Sequence, residues 1–211
     1  MRSRFTFRKS LFFALSVIIC CSGCAALQEM QDTLLNLRRL QFKLDGVSAG
    51  LLAGVDLARV SDLSRLSVLD GLKLTNAFAN KSLPLTFTLN LAAKNPNDGT
   101  GGNPQKAALL QGLAWTLKID DKETISGDIA NPLEIPGTGQ STIIPLQMKI
   151  DLYSFFKERG YKDLVNLAFA IAGQSGSTSR LTLSAVPTLS VAGVPIQYPG
   201  RINIIDTEFT N

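Results

Sequence analysis

The stretch that decides the fold is Ser82–Asn97, SLPLTFTLNLAAKNPN. Leu85, Phe87, Leu89 and Leu91 are apolar, and Thr86, Thr88 and Asn90 between them are polar. Strict alternation gives a β-strand one dry face and one wet face, because successive side chains leave the pleat on opposite sides. Pro84 stands near the strand's start, where its missing N–H does little harm. Asn95-Pro96-Asn97-Asp98-Gly99 ends the strand, since Asn and Asp bond their own backbone and proline fixes φ. The other strands are expected to assemble around this one.

Toward the C-terminus the same period recurs. Asp98–Gln105 is a loop by composition, and its glycines make no phosphate cradle, because no Gly-Lys-Ser/Thr closes them. Leu113, Trp115, Leu117 and Ile119 alternate, Asp120–Glu123 form a polar turn, and Thr124–Ile129 pair back as a hairpin. Ile144, Leu146, Met148 and Ile150 make another inward face, with Pro145 pointing outward and predicting an edge strand or a bulge. Over Asp151–Ala172 the period becomes helical: Asp151 caps, and Leu164, Leu167, Ala168 and Ile171 share a face. That segment reads as one helix broken near Gly160, or as two short ones. Gly173–Ser179 is a linker by composition. Strands return at Arg180–Leu189 and Ile196–Asp206, with a turn near Ala192-Gly193.

On the N-terminal side, residues 39–45 alternate and read as a first strand, closed by an Asp45-Gly46 turn. Leu51–Ala58 reads as a second strand with a bulge at Gly54. A helix is expected from about Asp62 or Val68 to Asn80, capped by Ser61 or Ser67. Leu66, Leu69, Leu72 and Ala79 share one arc of it, and Leu74 and Phe78 fall on the other side. Together these segments predict a mostly antiparallel β-sandwich with one to three short helices.

The order of the pieces carries a resemblance. A long alternating strand ends in Lys94-Asn95-Pro96-Asn97. A strand with glycine and a central aromatic follows, Gly112-Leu113-Ala114-Trp115-Thr116-Leu117. After a second strand near Ser126-Gly127 comes Ile135-Pro136-Gly137-Thr138-Gly139, ahead of Ile143-Ile144-Pro145-Leu146. Over roughly Leu83 to Ile150 the chain resembles the late-embryogenesis-abundant type 2 family, which includes the water-stress and hypersensitive-response (WHy) domain. The insertion Gly99–Gln105 departs from the compact form of that motif. The resemblance implies a fibronectin-like or immunoglobulin-like sandwich, a non-enzymatic protein and a stress-protective or stabilising role. It gives the Asn95-Pro96 corner a structural part and no ligand.

The first residues read as a sorting signal. Arg2, Arg4, Arg8 and Lys9 form a positive region, and Leu11–Cys20 is an apolar run too short to span a bilayer as a mature helix. Ser22-Gly23-Cys24 then resembles the end of a bacterial lipobox, where small residues precede the lipidated cysteine; Cys21 stands where an aliphatic is usual. The expected organisation is a signal peptide over 1–23, a tether or short helix over 24–38, and a β-sandwich domain over 39–211. Acylation at Cys24, palmitate among the chains, would anchor the domain on a bacterial envelope membrane. Ala25, where enteric lipoproteins retained on the inner membrane carry aspartate, points to the outer one. An ordinary secretory signal cut near Ala25 or Ala26 is the alternative. Within the tether, Leu27, Met30, Leu34 and Leu37 lie at helical spacing.

Cleavage before Cys24 leaves 188 of the 211 residues, and losing the four cations of the signal leaves 17 basic residues against 17 acidic. The formal charge of +4 therefore belongs to the signal and gives no basic surface for nucleic acid. The chain has no histidine, which removes Ser-His-Asp and Cys-His catalysis. Ser154-Phe155-Phe156-Lys157 matches Ser-x-x-Lys without the companion elements of penicillin-binding enzymes. Asp120, Asp121 and Glu123 crowd one turn, as a solvated tip does. Asn95, Asn97 and Asp98 offer oxygens for calcium, but no closing glutamate follows at EF-hand spacing. No catalytic, metal or cofactor residue is assigned. Trp115 shares the apolar face of Leu113 and Leu117, which predicts core packing. Three functions remain open: first a lipid-anchored stress-protective envelope protein, second an envelope module whose sheet edge or inter-sheet cleft holds a partner protein or an apolar ligand, and last a hydrolase.

Overall fold

The computed structural model describes residues 39–60, 62–100, 105–174, 179–191, 193–205 and 210. The residues read as signal and as tether or short helix, Cys24 among them, lie outside these. Leu40–Asn211 forms one compact unit. Its elements are β1 (Gln41–Leu52), β2 (Val55–Asp56), α1 (Val68–Ala79), β3 (Pro84–Lys94), β4 (Ala108–Ile119), β5 (Lys122–Gly127), β6 (Leu133–Ile135), β7 (Ser141–Asp151), α2 (Leu152–Phe156), α3 (Tyr161–Ile171), β8 (Leu181–Val191), β9 (Val194–Gln197) and β10 (Ile202–Ile204).

The alternating strand is β3, and it is central. One sheet runs β2-β1-β3-β7, with every pairing antiparallel and β3 in unbroken register with β7 from Pro84↔Asp151 to Lys94↔Ser141. The other runs β10-β8-β4-β5, with β6 also on β4 and β9 also on β8. Leu85, Phe87, Leu89 and Leu91 are buried, as are Leu113, Trp115, Leu117, Ile119, Ile144, Leu146, Met148 and Ile150. These are the faces that the period predicts, and they make the antiparallel sandwich that the sequence pattern calls for. Pro145 sits on β7, which has β3 on one side and, among the described residues, no strand on the other.

Two long edges of the sandwich differ. On the β1 side the layers are stitched by backbone bonds: Leu44 N–H donates to Ile205 O at 2.9 Å, and Phe42 and Thr210 exchange bonds of 2.8 and 2.9 Å. The opposite side, between β7 and the β5–β6 link, has no such bonds among the described residues.

The helices gather at the end where β3 starts and β7 stops. Asp151 is the joint: its carboxylate accepts from Leu83 N–H (2.9 Å) and Ser82 Oγ (2.8 Å) and caps α2 through Tyr153 N–H (3.0 Å). Gly160 is the N-cap of α3, so the helical segment breaks where expected. Phe78 of α1 meets Tyr153 and Tyr161 edge to face, with centroids 5.4 and 5.6 Å apart.

Three local expectations are corrected. Asp45-Gly46 does not turn the chain. Leu44 faces Leu91 and Val47 faces Leu89, so the pair forms a bulge opposite Asn90, with Gly46 at φ +106°. The turn lies at Ala53-Gly54, where φ is +45° and +81° and Leu52 pairs with Val55. Such a two-residue hairpin needs positive φ at both positions. On α1 the apolar arc is inverted: Leu74 is wholly buried, while Val68, Leu69 and Leu72 are 82%, 71% and 54% exposed. Periodicity defines an arc but not its partner, and here the aromatic cluster at Phe78 fixes which side faces inward. Finally, the last expected strand is split in two, with Tyr198–Arg201 between β9 and β10.

Candidate functional site

At the end away from the helices, the Lys94–Asn97 motif forms a buried polar corner. Asn95 is fully buried, and its Nδ2 donates to Lys106 O (2.8 Å) and Ile135 O (3.1 Å). Its Oδ1 accepts from Asn97 N–H (3.2 Å) and Asn97 Nδ2 (2.8 Å). Asn95 O accepts from Gly139 N–H (3.2 Å), and Asn97 O from Lys106 N–H (3.1 Å). Gly137 packs so closely that a Cβ there would come within 2.4 Å of Asn97 O and 2.6 Å of Lys106 O. One asparagine therefore ties the end of β3 to the approach of β4 and to the β6–β7 loop. Burial makes each of these bonds matter, because an unmet polar group there has no water to turn to. Asn97 Oδ1 is buried with no hydrogen-bond partner.

The neighbouring Asp98 carboxylate accepts from Thr100 Oγ1 (2.6 Å) and Thr100 N–H (3.0 Å). The Thr100 hydroxyl bond, then its backbone bond, with Lys94 nearby, holds Asp98 below the ordinary carboxylate range. The oxygens weighed for calcium are thus used within the chain at Asn95 and Asp98. Among the described residues no three His, Cys, Asp or Glu side chains come together to hold a metal.

The open long edge holds a cleft of about 460 Å³. Its walls are the Asp128–Leu133 segment of one sheet and Ile143–Gln147 of the other, and Trp115 also lines it. Trp115 is 7% exposed and packs in the core as expected, against Gly127, where a Cβ would come 2.5 Å from the ring. Its Nε1–H, however, is buried with no acceptor among the described residues. Asp128 takes the Leu113 and Ile129 N–H groups, which pins the link where β5 leaves β4. Sequence reasoning allowed for an inter-sheet cleft but named no residues as lining it. The one legible hint is Ile143, an apolar residue on the wet face of β7, which is 45% exposed.

The remaining candidates are structural. Asp120 pairs with Arg159 at 3.1 Å and accepts from Arg180 N–H at 3.0 Å, and Asp121 pairs with Arg180 at 3.2 Å. Lys122 donates to Phe155 O and, like Arg159, stands 5.0 Å from the Phe156 ring. The acidic tip thus fastens the β4–β5 hairpin to α2 and to the start of β8. Ser154 and Lys157 are exposed at and beyond a five-residue helix. Among the described residues no helix is long and apolar enough to cross a membrane.

No family model matches the chain, and no curated protein does either. Solved structures similar to it include a protein from Archaeoglobus fulgidus, at 12% identity and TM-score 0.33, covering 56% of this chain and 82% of that one. AT1g01470 from Arabidopsis thaliana matches at 13% and 0.34, over 80% of this chain and 83% of its own. A candidate late embryogenesis abundant (LEA) protein, At2g46140.1, matches at 13% and 0.34, over 94% and 90%. Likeness of this degree carries no argument about function.

Proposed function

We propose that the chain is a non-enzymatic, lipid-anchored bacterial envelope protein of the late-embryogenesis-abundant type 2 kind, held on the outer membrane through Cys24 and protective under desiccation or osmotic stress. One observation supports the family reading most. Two pieces of the resemblance that are some forty residues apart in the chain, Lys94–Asn97 and Ile135–Gly139, meet at one corner through Asn95, as parts of a single motif would. The non-enzymatic reading is supported by the missing histidine and by the ion-paired acids of the β4–β5 tip. The balanced charge after residue 23 supports a partner other than nucleic acid.

Mass spectrometry of the mature N-terminus tests the anchor. An acylated Cys24 and detergent partitioning, both lost in Cys24→Ala, are expected; an unmodified cysteine refutes it. A deletion strain should survive drying and osmotic shock less well, and unimpaired survival in both refutes the protective role. The cleft beside Trp115 favours a second reading, a binding module.

A further inference from the structure

The two long edges of the sandwich are not equivalent, and the difference has a chemical consequence. Hydrogen bonds from Leu44 and Phe42 close one edge, while the other, along β7, has no such bonds among the described residues and carries the cleft. Ile144, Leu146, Leu133 and Ile143 give the cleft apolar walls. Its size lies within the roughly 300–1,000 Å³ of small-molecule sites. Trp115 lines the cleft, its buried indole N–H has no acceptor among the described residues, and a buried donor left unmet costs about 1–3 kcal/mol. No described protein group supplies the acceptor, so a guest that reaches the ring can.

We propose that this cleft binds a small neutral apolar molecule, a hydrocarbon chain with one ester or amide carbonyl, whose oxygen accepts the Trp115 Nε1 proton. This deepens the binding-module reading and is independent of the anchor. Neutrality follows from Asp128, whose charge at the cleft wall opposes a carboxylate guest. A guest small molecule is favoured over a peptide strand added to β7 because Pro145 stands in the middle of that strand, and proline is a residue that keeps an edge strand from pairing further.

Trp115 is the chain's only tryptophan, so its emission reports the site alone. The full chain in alkyl-maltoside micelles, which carry no ester, is titrated with a dibrominated fatty acid methyl ester, whose bromines quench indole. The matching dibrominated free acid and dibrominated alkane serve as controls. Saturable quenching is expected, with the ester about tenfold tighter than the alkane, the worth of one buried hydrogen bond. The acid is expected to bind more weakly than the ester. Ile143→Arg, at an exposed wall position, should abolish quenching while leaving the unfolding midpoint unchanged. Trp115→Phe, read by calorimetry, should still bind but lose the preference for ester over alkane. Absence of saturable quenching overturns both the proposal and the module reading. Saturable binding with equal affinity for ester and alkane, or with the acid tightest, overturns the assigned ligand chemistry alone. Unchanged binding in Ile143→Arg overturns the location.

Discussion

Asn95→Ala should be among the most damaging single substitutions outside the apolar core, and its neighbour Asn97→Ala should be mild. The Asn95 change deletes four hydrogen bonds of 2.8 to 3.2 Å at a side chain with no exposure. The two Asn97 donors lose their acceptor at a buried site, and Ile135 O and Lys106 O each lose a donor. At about 1 kcal/mol net per bond, and more for each group stranded without water, the cost comes to about 3–5 kcal/mol. For a domain of this size, that lowers the melting point by about 10 °C. Asn97→Ala deletes one donated bond but also removes the unpartnered Oδ1, so about 0–1 kcal/mol is expected. Asn95→Asp keeps the accepted bonds and turns an oxygen toward two carbonyls, so at neutral pH it should cost at least as much as alanine. Urea unfolding followed by Trp115 emission measures all three. Equal costs for the two alanine variants, or less than about 1 kcal/mol for Asn95→Ala, would refute the view that Asn95 is the tie holding this corner.

Three further outcomes follow from local geometry. Leu74→Ala should cost about 2–5 kcal/mol, and Leu69→Ser and Leu72→Ser no more than about 0.5, as thermal melts would show; the reverse ranking would restore the arc read from sequence. Gly137→Ala should destabilise by about 3 kcal/mol in urea, because its Cβ meets two backbone oxygens that cannot swing aside; an unchanged midpoint would contradict the close approach. Asp98 should titrate below the ordinary carboxylate range in carbon-13 NMR, and Thr100→Val should bring it back up. A carboxyl lowered on folding stabilises the fold above its unfolded pKa of about 3.9, and that contribution is lost as pH falls through the folded value. Thr100→Val should therefore leave less stability at neutral pH and a shallower acid loss.

The period-two pattern carried most of the architecture. Phe87, Leu89, Trp115 and Leu146 are inside because a strand has only two faces, so alternation and burial are one statement. Pro145 was legible as an edge for a similarly local reason, since proline lacks the N–H that a second neighbour would need. Glycine was less legible. Gly46 and Gly54 both mark positive φ, but a bulge and a turn ask the same of a residue, and only the pairing of β1 with β3 and with β2 tells them apart. Helix α1 failed for want of a partner: two incomplete apolar arcs are equally good until Tyr153 and Tyr161 stand beside one of them.

What the sequence determined by itself is the set of faces, the turn chemistry and the lack of histidine, because each depends on residue type and near neighbours. Tertiary structure alone decided that Asn95 reaches Ile135, and that among the described residues one long edge of the sandwich is stitched and the other is not, and the Trp115 N–H is left without an acceptor. Those are meetings of segments distant in the chain, and no local pattern encodes where two such segments will touch.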